Sequence, residues 1–297
     1  MVGIKTRVTA AVLCALLIFA AAGCAAASAG AVEASAGGFR GVFYGNGFSP
    51  ETEPAQGVSA DISTAGDGYI GLAASGEKKI KARLCFGDIT YTYTLPGDGA
   101  PCFLPLQSGS GKYELLLYEN TVGDKYVQIG STPVEADMGD EFAPFLHSNQ
   151  MVSFTEDSLC VRKAAELAAE AEDENGFVKL VYGYICDNIS YDGDLAATVA
   201  AGYLPEPDRT LERGKGICFD YASLAAAMLR SQGIPTKLIT GYAGRDALYH
   251  AWNAVYLRES GWITVELRVS PGDWNRIDLT FAAAGEDETV YVDKYVY

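Results

Sequence analysis

Gly216-Ile217-Cys218-Phe219-Asp220-Tyr221-Ala222 is the stretch on which the reading of this chain turns. A polar linker with Pro205 and Pro207 leads into it. After it Ala222, Ala225, Ala226 and Leu229 recur at helical spacing until Gly233-Ile234-Pro235 ends the run. Cys218 therefore falls in the first turn of a helix, where its sulfur meets unpaired backbone N–H groups and the positive end of the helix dipole. Both favour a thiolate, the form that attacks carbonyls. A cysteine alone is weak evidence, because free cysteine is also a common core filler.

A thiol nucleophile needs a base, and near neutral pH that is usually histidine. The chain has only two histidines. His250 begins His250-Ala251-Trp252-Asn253, just ahead of a strand-like run. His147 lies in the irregular stretch Phe145-Leu146-His147-Ser148-Asn149 and reads as a surface or packing residue.

Outward from the Cys218 helix the periodicity organises the rest. From about residue 156, Leu159, Ala164, Leu167, Ala168 and Ala171 mark one amphipathic helix, and Val178, Val181, Tyr182 and Ile185 a second. Downstream come strand-like runs at Lys237–Tyr242, Ala251–Leu257, Trp262–Val269 and Trp274–Phe281. Helices, one special helix start and then an antiparallel sheet make an α+β domain, over residues 150–297. Upstream, residues 40–140 read as β. Alternation is clear in Ile80/Ala82/Leu84 and in Tyr91/Tyr93/Leu95, and short Gly- and Pro-containing turns separate the runs. The expectation there is an antiparallel β-sandwich.

The run from Gly216 to Phe281 resembles the transglutaminase-like superfamily, whose members share a papain-like Cys-His-Asp core. The resemblance rests on Gly216-Ile217-Cys218 before Asp220-Tyr221-Ala222, on the turn at Gly233-Ile234-Pro235, on Gly241-Tyr242, and on His250-Ala251-Trp252-Asn253. It implies a nucleophile at Cys218, a base at His250 and an orienting Asp in a Trp-x-x-x-Asp-x-Thr context. Trp262 leads instead to Glu266, while Trp274 leads to Asp278 and Thr280, twelve residues later. Asp278 is accordingly expected to orient His250, on a strand beside the histidine strand, with Glu266 in reserve. The implied activity is acyl transfer through a cysteine thioester, by hydrolysis or transamidation of peptide or protein amides, with no cofactor and no metal. The alternative is a surface binding module of the same fold without catalysis. The β region resembles the immunoglobulin-like modules that often precede such domains.

The N-terminus reads as an export segment. Lys5 and Arg7 precede an apolar and small-residue run from Val8 to Ala22, too short for a membrane span. Ala21-Ala22-Gly23-Cys24 resembles a bacterial lipobox, which makes Cys24 the expected lipid site and residues 1–24 a lipoprotein signal peptide. Two acyl chains on Cys24 would anchor the chain stably to a membrane. Residues 25–39, mostly Ala, Gly and Ser, read as a flexible tether. The expected location is the extracytoplasmic face of a bacterial membrane, with peptide or protein substrates, cell-wall peptide among them. A net charge of −16 argues against nucleic acid, since no basic field displaces counterions from phosphates. Beyond Cys14 and Cys24, the five cysteines are scattered without a CxxC pair, which argues against a structural zinc site. Cys85 and Cys102 are candidates for a disulfide.

Overall fold

The computed structural model describes residues 39–243, 248–269, 277–283 and 291–297, with backbone only at 243, 248, 266–269 and 277–283. The export segment with Cys24 and most of the tether lie outside the described residues. Phe39, the last residue assigned to the tether, is docked. Its N–H donates to the Ala171 carbonyl at 2.8 Å, and its ring stacks on Phe177 at 5.2 Å.

Eight strands follow: β1 (Thr52–Ala55), β2 (Val58–Asp61), β3 (Tyr69–Ser75), β4 (Ile80–Phe86), β5 (Ile89–Leu95), β6 (Asp98–Pro105), β7 (Gly111–Asn120) and β8 (Tyr126–Ala136). They form two antiparallel four-stranded sheets, ordered β1-β2-β3-β6 and β5-β4-β7-β8. Period-two alternation decides which side chains go inside. Ile70, Leu72 and Leu104 from one sheet and Ala82, Leu84, Leu115 and Leu117 from the other join one buried cluster. The expected sandwich is therefore present, with β1, β2 and β6 added to the strands legible in the sequence. Cys85 and Cys102 are both free thiols, correcting the disulfide expectation. Cys85 lies on β4 and Cys102 on β6, opposite Leu72, so the two belong to different sheets.

The second half holds α1 (Leu159–Glu170), α2 (Glu174–Asn188), β9 (Ser190–Tyr191), α3 (Gly193–Thr198), α4 (Pro207–Arg213), β10 (Lys215–Gly216) and α5 (Cys218–Arg230). Then come β11 (Thr236–Ala243), β12 (Leu248–Leu257), β13 (Gly261–Val269), β14 (Ile277–Ala283) and β15 (Tyr291–Val296). The sheet runs β14-β13-β12-β11-β15, all pairs antiparallel. Helix α5 is buried from Asp220 to Arg230, which its run of small residues Ala225-Ala226-Ala227 permits by letting neighbours close in on every side. The helices α3 and α4 stand where the sequence reads as linker, each too short for periodicity to reveal.

The two halves share one hydrophobic cluster. The fully buried guanidinium of Arg230 donates through Nη1 to the His147 carbonyl, through Nε to that of Thr236 and through Nη2 to that of Tyr297, each at 2.8 Å. The Tyr297 ring in turn meets Tyr91 at 5.8 Å and Tyr93 at 6.4 Å on β5. Tyr297 is thereby pinned between sandwich and α+β domain.

Candidate active site

Cys218 is the first residue of α5, as its motif requires, and is partly exposed. The chain enters through Ile217 in extended conformation, and the Asp220 carboxylate folds back to accept the Ile217 N–H at 2.8 Å. This is the acidic half of a capping box. It explains Gly216: a Cβ there would lie 2.7 Å from the Cβ of Asp220. The other Asp220 oxygen accepts from the Tyr203 hydroxyl at 2.7 Å. Burial pushes the Asp220 carboxyl up, against the opposing pull of these two bonds. On the entry side, β10 pairs in parallel with β9, and the Asp192 N–H donates to the Gly216 carbonyl at 2.8 Å. The approach to Cys218 is thus held from both sides.

His250 sits near the N-terminal end of β12, opposite Gly241 on β11. Gly241 is forced by the neighbouring strand, since a Cβ there would stand 2.1 Å from the Val292 carbonyl oxygen of β15. Cys218 and His250 line one cavity of about 430 Å³, with Tyr191, Tyr203, Tyr249 and Phe219 among its walls. Its far side is built by the sandwich and the connecting segment, through Thr92, Thr94 and Gln150. Among the described residues lining it, none is Asp, Glu, Lys or Arg.

The register of β12 is fixed by Asn253, three residues beyond His250. Its Oδ1 accepts from the Tyr182 hydroxyl at 2.9 Å, and its Nδ2 donates to the carbonyls of Ala222 at 3.0 Å and Lys237 at 3.2 Å. Trp252 belongs to a second, smaller cluster with Ile239 and Ala254, and its ring meets Tyr291 at 5.1 Å.

The expectation that the Asp278 strand pairs beside the His250 strand is not met. β13 lies between β12 and β14, with Arg268 opposite Asp278 and Glu266 opposite Thr280. The short Arg258–Ser260 connection makes β13 the natural neighbour of β12, so the meander leaves β14 two strands from the histidine, roughly 10 Å across the sheet. The side chains of Glu266 and Asp278 lie outside the described residues.

His147, the other histidine, is a packing residue. Its ring lies between Tyr69 and Tyr44, with centroids 4.6 and 5.9 Å away. Gln150, Thr92 and the Tyr203–Asp220 bond escaped sequence reasoning. Only Asp220 carried a local signal, as an acidic residue three positions after the N-cap. Among the described residues no cluster of metal-binding side chains occurs.

Residues 162–267 match the family model of the transglutaminase-like superfamily. The chain contains a transglutaminase-like domain. The match takes in Cys218, His250 and Glu266 and ends before Asp278. No curated protein matches the chain significantly in sequence. Among solved structures, a protein of Cytophaga hutchinsonii provisionally named a cysteine protease is 15% identical with a TM-score of 0.38, over 77% of this chain and 91% of its own. Red sea bream transglutaminase is 13% identical with a TM-score of 0.30, over 67% of this chain and 47% of its own. A protein of Parabacteroides distasonis provisionally named a protease is 15% identical with a TM-score of 0.30, over 72% of this chain and 41% of its own. This chain spans less than half the length of the last two.

Proposed function

We propose that the transglutaminase-like domain is a thiol enzyme acting on peptide or protein amides. The observation that carries this reading is a single cavity lined by both Cys218, at the start of the buried helix α5, and His250 of β12. In the proposed reaction the Cys218 sulfur attacks an amide carbonyl while His250 takes the thiol proton. The C–N bond then breaks, the amine leaves with a proton from His250, and a thioester remains. Water resolves it to a carboxylate, or a second amine to a new amide, and the thiol is restored. The Cys218 backbone N–H is the proposed donor to the oxyanion. For the carboxylate that orients the imidazole, strand order favours Glu266, on the strand paired with β12, over Asp278 on β14.

The sandwich is proposed to be immunoglobulin-like. Consecutive strands β3 and β4 lie in different sheets, as do β5 and β6, which is the crossing pattern such a module needs. The leader motif supports a lipid anchor at Cys24 and an extracytoplasmic, membrane-attached location, where cell-wall peptide is among the available amides. Activity-based labelling with a thiol-directed peptidyl electrophile tests the enzymatic reading. Labelling of the wild type that disappears in Cys218→Ala supports it; failure to label favours a binding module of the same fold.

A further inference from the structure

Among the described residues β5 is an edge strand of the sheet β5-β4-β7-β8, and two of its residues, Thr92 and Thr94, line the cavity that holds Cys218. At Thr94 this edge already carries an amide group. The Gln150 side chain donates through Nε2 to the Thr94 carbonyl at 2.7 Å and accepts the Thr94 N–H through Oε1 at 3.4 Å. The same Nε2 also lies 3.4 Å from the Cys102 sulfur. The two bonds to Thr94 reproduce what a paired strand would make.

Their direction sets the rest of the edge. In an antiparallel ladder, residues alternate between pairing with the neighbour and turning their N–H and C=O away from it. Since Thr94, opposite Lys81, turns outward, Thr92, opposite Arg83, does so too. Thr92 is exposed, whereas Tyr91 and Tyr93 point inward and are held by Tyr297, so the edge is fixed relative to α5. The Thr92 backbone therefore offers one further donor and acceptor, about 7 Å along the strand from Thr94, at the wall of a cavity whose described lining holds no Asp, Glu, Lys or Arg.

Resting on the thiol-enzyme reading above, we propose that the β5 edge binds the substrate backbone. An extended, uncharged peptide segment adds to β5 at Thr92, in line with the Gln150 amide, and its chain continues to Cys218. Main-chain bonds to a sheet edge give affinity without reading side chains. The sandwich is then a substrate-positioning wall rather than a separate module.

The test uses the intact chain and two alkylating probes, iodoacetamide and acetyl-Ala-Ala-Ala-Phe chloromethyl ketone, each followed by mass spectrometry at Cys218. Thr92→Pro removes the outward N–H together with the threonine hydroxyl, a change an edge strand tolerates, and the N-methyl arm below isolates the backbone bond. The peptidyl reagent should modify the wild type about ten-fold faster than Thr92→Pro, the order expected from losing one or two hydrogen bonds. Iodoacetamide, which needs no strand pairing, should modify both alike. An independent arm leaves the protein unchanged: N-methylating the alanine nitrogens of the peptidyl reagent should slow it comparably against the wild type. Equal peptidyl rates for the two proteins, or an N-methylated reagent as fast as its parent, overturn the edge-strand assignment alone. A Cys218 that iodoacetamide does not reach overturns the thiol reading and this inference with it.

Discussion

Tyr182 on α2 and Asn253 on β12 are joined in the core by a hydrogen bond of 2.9 Å, with the phenol donating to Oδ1. Because Nδ2 of the same carboxamide reaches Ala222 on α5 and Lys237 on β11, one side chain ties four elements. Ala222 stands four residues after Cys218 and Asn253 three after His250, so this clamp sets how α5 and β12 present the two residues to their shared cavity. Tyr182→Phe removes the hydroxyl that satisfies a buried oxygen and should cost about 1–3 kcal/mol in urea unfolding. Asn253→Ala, which removes a hydrogen bond from three partners at once, should cost more and also lower turnover. Two variants as stable as the wild type would show that the clamp carries no strain of the fold.

Stability should fall in mild acid because of His147. Burial first, and the Arg230 charge second, push its pKa down from 6.5 to about 4. An unfolded histidine takes a proton below about pH 6.5, while the folded one stays neutral down to about 4. Within that window the unfolded state binds more protons, so stability present at pH 7 is lost as the pH drops. The loss from this one group approaches about 3 kcal/mol near pH 4. His147→Phe keeps a ring against Tyr44 and Tyr69 and should flatten this part of the pH profile. A profile unchanged by that substitution would assign the acid sensitivity elsewhere.

The orienting carboxylate can be settled by two conservative variants. Glu266→Gln should reduce turnover by about two to four orders of magnitude, because the imidazole loses the anion that fixes its tautomer. Asp278→Asn, two strands from β12, should change it little. The reverse ranking would give the role to Asp278 and require its carboxylate to act across β13. Both variants should melt with the wild type, which circular dichroism can check.

Cys24 predicts a covalent lipid. Cells fed labelled fatty acid should incorporate it into the wild-type chain and not into Cys24→Ser, which should be released or left unprocessed. Equal labelling of the two would remove the lipoprotein reading while leaving the domain's chemistry untouched.

Local pattern was enough for the helix start at Cys218, the histidine strand and the order of helices before sheet. Each depends on residues near in sequence: a Gly-Ile-Pro stop, a 3.6-residue period, a period of two. The same holds for the inward faces of β4 and β5. Local pattern misjudged which strand lies beside the histidine strand, because Trp274-Asn275-Arg276-Ile277-Asp278 matches a motif better than Trp262-Ile263-Thr264-Val265-Glu266 does, and motif says nothing of strand order. A three-residue connection after β12 decided that order. It also could not foresee β15 beside β11, since that pairing joins residues about 50 positions apart. The cavity itself is a tertiary product. Its walls come from β5, the Gln150 turn, the loop at Tyr203, α5 and β12, and none of these announces the others. Sequence supplied the thiol and the imidazole; only the packing of Tyr297 and Arg230 between the two halves brought the sandwich edge to them, because long-range burial of those two side chains leaves no periodic trace.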